Sequence, residues 1–219
     1  LFEGVDLSIF KKINKFPKTL AIEMKEIPEA FCFLFVGHWL QGDIGHDRKD
    51  IGMLIKTFCE TFRSARKKPA LILKTSGAGF SIMDRDEMLN KIRSITGVDK
   101  GYPNVYLLHG DLTSDEMNAL YNHPKVKAHV SFTKGEGYGR PLAEAAISGK
   151  PLIAPICSGQ ADFLDPNYTI ALPGGLMEIH KSAVWKGVLN QGGKWFYVNH
   201  EYASKILKDV YKNYKKYIE

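Results

Sequence analysis

The sequence predicts an α/β domain, an open and mainly parallel sheet with helices on both faces. Three observations carry this expectation. Short apolar runs of strand length alternate with longer segments of helical periodicity along most of the chain. Glycine, proline or capping residues mark the changes of pattern. The chain has 219 residues, 44% of them hydrophobic and 25% charged, which suits one large domain with a substantial core.

The elements follow in order. AFCFLFVG (residues 30–37) is an aromatic-rich apolar run and reads as a buried strand. DIGMLIKTFCETFRSA sets Ile51, Leu54, Ile55, Phe58 and Phe62 at helical spacing. ALILKT (residues 70–75) is a second strand. DRDEMLNKIRSITG has acids early and bases late, as the helix dipole prefers, and Gly97 stops it. NVYLLHG is a third strand, and TSDEMNALYNHP a helix capped by Thr113 or Ser114. KAHVSFT, KPLIAPI and YTIAL are further strands, with the helix RPLAEAAISG after the first of these. Residues 1–30 read as linker and lead-in. Residues 174–219 read as a helical extension, with Tyr202, Ile206, Val210 and Tyr214 at four-residue steps opposite many lysines. Strands joined through helices need right-handed crossovers, so the sheet is Rossmann-like. Ligands then belong beyond the carboxyl ends of the strands, in the loops after Gly37, Thr75, His109 and Thr133.

Several classes are poor fits. No run approaches the roughly 18 apolar residues of a membrane-spanning helix, and no secretory signal stands at the amino end. Cys32, Cys59 and Cys157 are far apart and odd in number, which argues against a disulfide scaffold or a zinc site and suits a cytoplasmic setting. The net charge of +6 favours an anionic partner, but the excess sits in RSARKK and KDVYKNYKKY, stretches that also suit solvated helix faces. No nucleic-acid motif accompanies it, and no nucleic-acid partner is expected. Neither the dinucleotide G-x-G-x-x-G spacing nor the P-loop pattern is present.

TKGEGYGRPLAEA after the fourth strand is more informative. Gly135, Gly137 and Gly139 allow close backbone approach, and Pro141 suits the first helical position. A helix amino end reached through such a turn can bind an anion. Helical side chains lean toward the amino end, which brings Glu144 toward the same mouth. A carboxylate accepts both protons of a vicinal diol, so phosphate at the turn and sugars beside Glu136 and Glu144 would suit a nucleotide sugar. Spacing alone equally permits two ordinary acids at a helix start.

EGYGRPLAEAAISGKPLIA resembles the E-x7-E signature of group 1 retaining glycosyltransferases, which have the GT-B fold. EGVDLSIF resembles the family's interdomain linker, and FLFVGHW with the later RKDIGMLIKTF its first carboxyl-domain strand and basic loop. NVYLLHGDLTSDEMNALY resembles the segment near the nucleotide base. The match covers residues 1–173 and is weak beyond. The resemblance implies the carboxyl-terminal, donor-binding half of a GT-B enzyme, with residues 1–219 as one domain and the amino-terminal acceptor domain as a missing partner. The donor would be a UDP-, GDP- or ADP-sugar, with no cofactor and no metal required. Glu144 would accept from ribose, and Glu136 would face the transferred sugar. Backbone N–H groups of Gly137, Tyr138 and Gly139 would lie near sugar and phosphate. Lys49 and Arg48 would neutralise the diphosphate, with Gly37, His38, Lys74, His109 and Gly110 completing the donor site. The family usually has arginine where His38 stands. The lysine-rich end leaves a peripheral membrane contact open. The rival expectation is a non-catalytic nucleotide-binding or protein-interaction module on the same fold.

Overall fold

A computed structural model describes residues 3–77, 79–97 and 101–218. Its main sheet has six parallel strands in the order β3-β2-β1-β4-β5-β6. In chain order these are β1 (Cys32–Val36), β2 (Ala70–Lys74), β3 (Val105–Leu108), β4 (Val126–Val130), β5 (Leu152–Ala154) and β6 (Thr169–Ala171). The sheet grows outward in two directions from β1 and β4, which pair with each other. Connections on the two sides therefore diverge, leaving a crevice above the carboxyl ends of those strands.

The helices are α1 (Lys18–Lys25), α2 (Ile51–Phe62), α3 (Ile82–Thr96), α4 (Ser114–Asn122), α5 (Arg140–Ile147) and α6 (His200–Lys212). One sheet face packs Phe33, Phe35, Leu71 and Leu73 against Leu54, Phe58 and Phe62 of α2 and Met88 of α3. The other packs Leu34, Ile72 and Leu152 against Leu20 of α1, Leu120 of α4 and Leu142 of α5. Strands buried on both faces need apolar side chains at every position, which is why β1 and β2 read as continuous runs.

Local signals set the helix ends. Ser81 accepts the Asp84 N–H at 3.1 Å at the start of α3, and Gly97 (φ 58°) closes it with its N–H on the Arg93 carbonyl. Thr113 is the cap of α4 and forms a reciprocal capping box with Glu116. Helix α5 starts at Arg140, so Pro141 takes its second position, one later than expected.

Two regions differ from the sequence reading. The lead-in contains α1, whose Leu20 and Met24 are buried beneath the sheet. Residues 174–219 are only partly helical. They begin with an antiparallel hairpin, β7 (Gly174–Glu178) and β8 (Lys194–Val198), whose small core is Ile179, Ala183 and Trp195. The buried stripe of α6 is Ala203, Leu207 and Val210, packed on α2. Tyr202 is exposed, and Tyr214 lies beyond the helix in a 3-10 turn. Val210 belongs to both the expected and the observed stripe and Ile206 packs partly buried on the same core, so the packed face differs by taking in Ala203 and Leu207 in place of exposed Tyr202. Among the described residues no helix is long and apolar enough to cross a membrane.

Candidate functional site

The loops after β1 and β4 meet over the crevice. Glu136 is the meeting point. Its carboxylate pairs with Arg48 Nη1 at 2.7 Å and with Lys49 Nζ, and accepts the Thr133 hydroxyl at 2.6 Å. Its side chain and that of Lys49 are 7% and 8% exposed. Burial works to raise the Glu136 pKa, but the two cations and the hydrogen bonds outweigh it and hold the carboxyl below its ordinary range. Burial lowers the Lys49 pKa, with Glu136 opposing the shift. The basic pair before α2, unfavourable to that helix's dipole, is thus explained by an acid from another loop.

Buried Lys134 fixes this arrangement. Its ammonium donates to the carbonyls of Gly45 (2.7 Å) and Asp47 (2.8 Å) and to Asp50 Oδ1 (2.9 Å), and lies 4.5 Å from the Tyr197 ring centroid. Asp50 Oδ2 also meets His200 Nε2 at 3.1 Å. Asp50 takes a left-handed conformation (φ 53°), which turns the chain into α2 just after Arg48 and Lys49. Sequence reasoning passed over Lys134, Asp50 and His200. The available signal was a lysine directly after an apolar strand, where burial demands a partner.

The glycine turn is equally constrained. Gly139 (φ 94°) is the residue before α5, and a Cβ there would lie 3.2 Å from Gln160 and 3.4 Å from Glu136. Among the described residues, the N–H groups of Gly137, Tyr138 and Arg140 have no acceptor within the chain, as an anion site at a helix start requires. The Tyr138 ring packs against Phe163 at 5.0 Å, so only its backbone serves the turn.

Glu144, in the first turns of α5, lines the cleft. It accepts the Tyr121 hydroxyl at 2.9 Å and pairs with exposed Arg140 at 3.3 Å. Burial raises its pKa, and those two contacts only partly offset the shift.

A cleft of about 760 Å³ brings together Gly37, His38, Arg48, Lys49, Lys74, Glu136 and Glu144. His38 is exposed and its Nδ1 lies 3.1 Å from the Ser76 hydroxyl. Lys74 donates to the Gly110 carbonyl at 2.5 Å, and burial lowers its pKa against the pull of Asp111. His109 does not line the cleft. It is 8% exposed and bonded through Nε2 to Asp84 at 2.7 Å, and Asp84 also accepts the Gly77 N–H. The Gly77 donor is therefore already engaged. Among the described residues no group of three or more metal-ligating side chains converges.

Fold and cleft define an open α/β domain of the Rossmann type, with the topology of carboxyl-terminal GT-B domains. Neither protein-family models nor curated protein sequences match the chain. Solved structures do match in fold. The carboxyl-terminal domain of the group 1 glycosyl transferase LpcC from Francisella tularensis aligns over 98% of this chain and 92% of its own length, with TM-score 0.62 and 16% identity. Anabaena HepE, solved in complex with UDP and glucose, aligns over 98% of this chain and 47% of its own, with TM-score 0.55 and 16% identity. Sucrose-phosphate synthase from Thermosynechococcus elongatus aligns over 78% and 38%, with TM-score 0.53 and 16% identity. The chain thus spans nearly all of the isolated domain and less than half of either enzyme.

Proposed function

We propose that this chain is the donor-binding domain of a retaining glycosyltransferase that uses a nucleotide-diphosphate sugar, completed by an amino-terminal acceptor domain. The observation that carries the reading is the convergence of Arg48, Lys49, Glu136 and Glu144 on one cleft at the amino end of α5.

The chemistry follows from charge. As the glycosidic bond breaks, negative charge grows on the diphosphate, and fixed cations that meet it stabilise the leaving group. Arg48 and Lys49 are mounted for that role, with the α5 amino end beside them. Glu136 holds both cations in the free domain, so an arriving diphosphate competes for them and releases the carboxylate toward the sugar hydroxyls. Glu144 accepts from the ribose hydroxyls. The cations take the place of a divalent metal, and the three separated cysteines suit a cytoplasmic protein.

Calorimetric titration with UDP, GDP and ADP tests the reading. At least one should bind, and Lys49→Ala should weaken it by roughly 10-fold or more, the scale of a lost charge-assisted contact. No binding of any of the three to the folded chain would refute the proposal.

A further inference from the structure

The hairpin β7–β8 and the residues that join its strands carry apolar surface that the chain leaves in water. Leu176 and Met177 on β7 are exposed, and so are Trp185 and Val188 in the connection, at 54% and 68%. Single exposed apolar residues are ordinary, but these four fall together between positions 176 and 188. None belongs to the small core of Ile179, Ala183 and Trp195 that holds the region together, so folding of the hairpin does not account for them. The connection is built to hold its tip. Trp185 and Leu189 exchange both backbone hydrogen bonds, at 2.9 and 2.7 Å, and Gly187 (φ 81°) turns the chain between them. Gln41 Nε2 donates to the Val184 carbonyl at 3.0 Å, and the Ser182 hydroxyl accepts the Asp43 N–H at 3.0 Å. A closed turn on a fixed base thus keeps Trp185 and Val188 exposed, with exposed Lys186 between them in sequence.

We propose that this hairpin docks on an anionic lipid surface, with Trp185 and Val188 entering the headgroup boundary and Lys181, Lys186 and Lys194 meeting the lipid charge. Two observations favour a bilayer over a protein partner. Leu176 and Met177 are neighbours on one strand and face opposite sides of the hairpin. Leu176 borders a depression shared with Lys194, and Met177 borders another shared with Lys181. Apolar and basic groups therefore lie on both sides of the hairpin, as immersion in a boundary layer requires, whereas a protein partner would cover one. The second observation is charge. From position 174 to 198 three lysines stand against one acid, Glu178, which sits opposite Lys194 in the ladder. Lysine is depleted in protein interfaces, while an anionic leaflet attracts each lysine near its surface. Tryptophan suits that boundary, with an apolar body for the acyl side and a ring N–H for the headgroups. The hairpin then lies on the membrane without spanning it. This surface is separate from the lysine-rich carboxyl end, where the apolar stripe of Leu207 and Val210 is already buried against α2.

Flotation of the whole chain with vesicles tests the proposal, using phosphatidylcholine alone and an equimolar mixture of phosphatidylcholine and phosphatidylglycerol. The chain should bind the anionic vesicles more tightly and leave them as salt rises. Trp185→Ser combined with Val188→Ser should weaken binding roughly 10-fold or more, and Lys186→Gln roughly 5-fold. All three side chains are exposed, so the variants should melt with the wild type, which separates lost docking from lost folding. Fluorescence adds a readout that needs no variant. Trp39 and Trp195 are buried, so a blue shift on vesicle binding, with quenching by a bromine-labelled lipid, reports Trp185. A wild-type chain that binds neither vesicle, binds both equally, or binds without these changes in emission overturns the proposal. So does a Trp185→Ser/Val188→Ser variant that floats like the wild type. Loss of binding on Lys215→Gln with Lys216→Gln would in that case place the contact on the carboxyl end.

Discussion

Glu136 and Glu144 are buried carboxylates on one cleft, and their surroundings push them in opposite directions. Glu136 has two cations and a hydroxyl donor, so its ionised form is favoured on folding. Its contribution to stability is present above the unfolded value near 4.5 and is lost as pH falls through the depressed folded pKa. Glu144 has one hydroxyl donor and an exposed arginine, and burial raises its pKa. A raised folded pKa means the folded chain binds the proton more readily than the unfolded one. Ionised Glu144 therefore weighs against folding at neutral pH, and that penalty fades as pH falls through the raised pKa. A carboxylate kept at such a cost fits a ligand role. Glu144→Gln keeps an acceptor for Tyr121 and removes the charge. At pH 7 the variant should melt at the same or a higher temperature, while nucleotide affinity falls roughly 10- to 150-fold, the range for hydrogen bonds to charged groups. Thermal melting together with titration checks both halves. A lower melting temperature with unchanged affinity would mark Glu144 as a structural acid.

At the scale of elements, the glycine turn depends on a neighbour that the sequence does not advertise. A Cβ on Gly159 would overlap the Gly137 carbonyl oxygen, because the 3-10 turn Ser158–Asp162 packs directly on the loop after β4. The Gly159 N–H donates to the Glu136 carbonyl at 3.1 Å, and Ser158 accepts the Glu136 N–H at 2.8 Å. Gly159→Ala should therefore destabilise by about 1–3 kcal/mol, as overpacking does, and lower the melting temperature by roughly 2–12 °C. Gly175→Ala in β7, where an added Cβ meets nothing within 4 Å, should leave it nearly unchanged. Equal effects of the two would remove the packing argument. The same contrast explains what was legible. Strands β1 and β2 and the spacing of α2 could be read because burial on both sheet faces writes itself as apolar runs and helical periods. The acids of the E-x7-E stretch could be read because they lie close in sequence. The β7–β8 hairpin could not: β7 is GGLME, exposed at every position and without alternation. Helix α1 was hidden in a lead-in that has no side-chain cap at its start. The pairing of Glu136 with Arg48 and Lys49 spans 87 or 88 residues, beyond the reach of any local pattern.

Across the whole molecule, Lys134 joins three parts that the chain visits far apart. It follows β4, binds the loop at 45–50 through two carbonyls and Asp50, and reaches the carboxyl-terminal region through Tyr197 and the Asp50–His200 contact. Its carbonyl accepts the Phe196 N–H at 3.1 Å, and its N–H donates to the Arg48 carbonyl at 2.8 Å. One buried cation thus sets the height of Arg48 and Lys49 over the crevice and seats the hairpin and α6 against the sheet. Removing one partner of a buried pair leaves the other charge uncompensated, which costs about 3–5 kcal/mol. Lys134→Met should therefore lower the melting temperature by roughly 6–20 °C, far more than Lys194→Met on the exposed β8 end. Because the buried charge on Asp50 is the source of the loss, Lys134→Met combined with Asp50→Asn should recover part of it. The double variant should nevertheless bind nucleotide more weakly than the wild type, since the Lys134 ammonium no longer ties the Gly45 and Asp47 carbonyls of the loop that carries Arg48 and Lys49. Denaturation and titration of the three variants separate the two effects. Full recovery of both stability and affinity in the double variant would show that the cation loop is positioned by its own backbone, and that Lys134 serves only to neutralise Asp50.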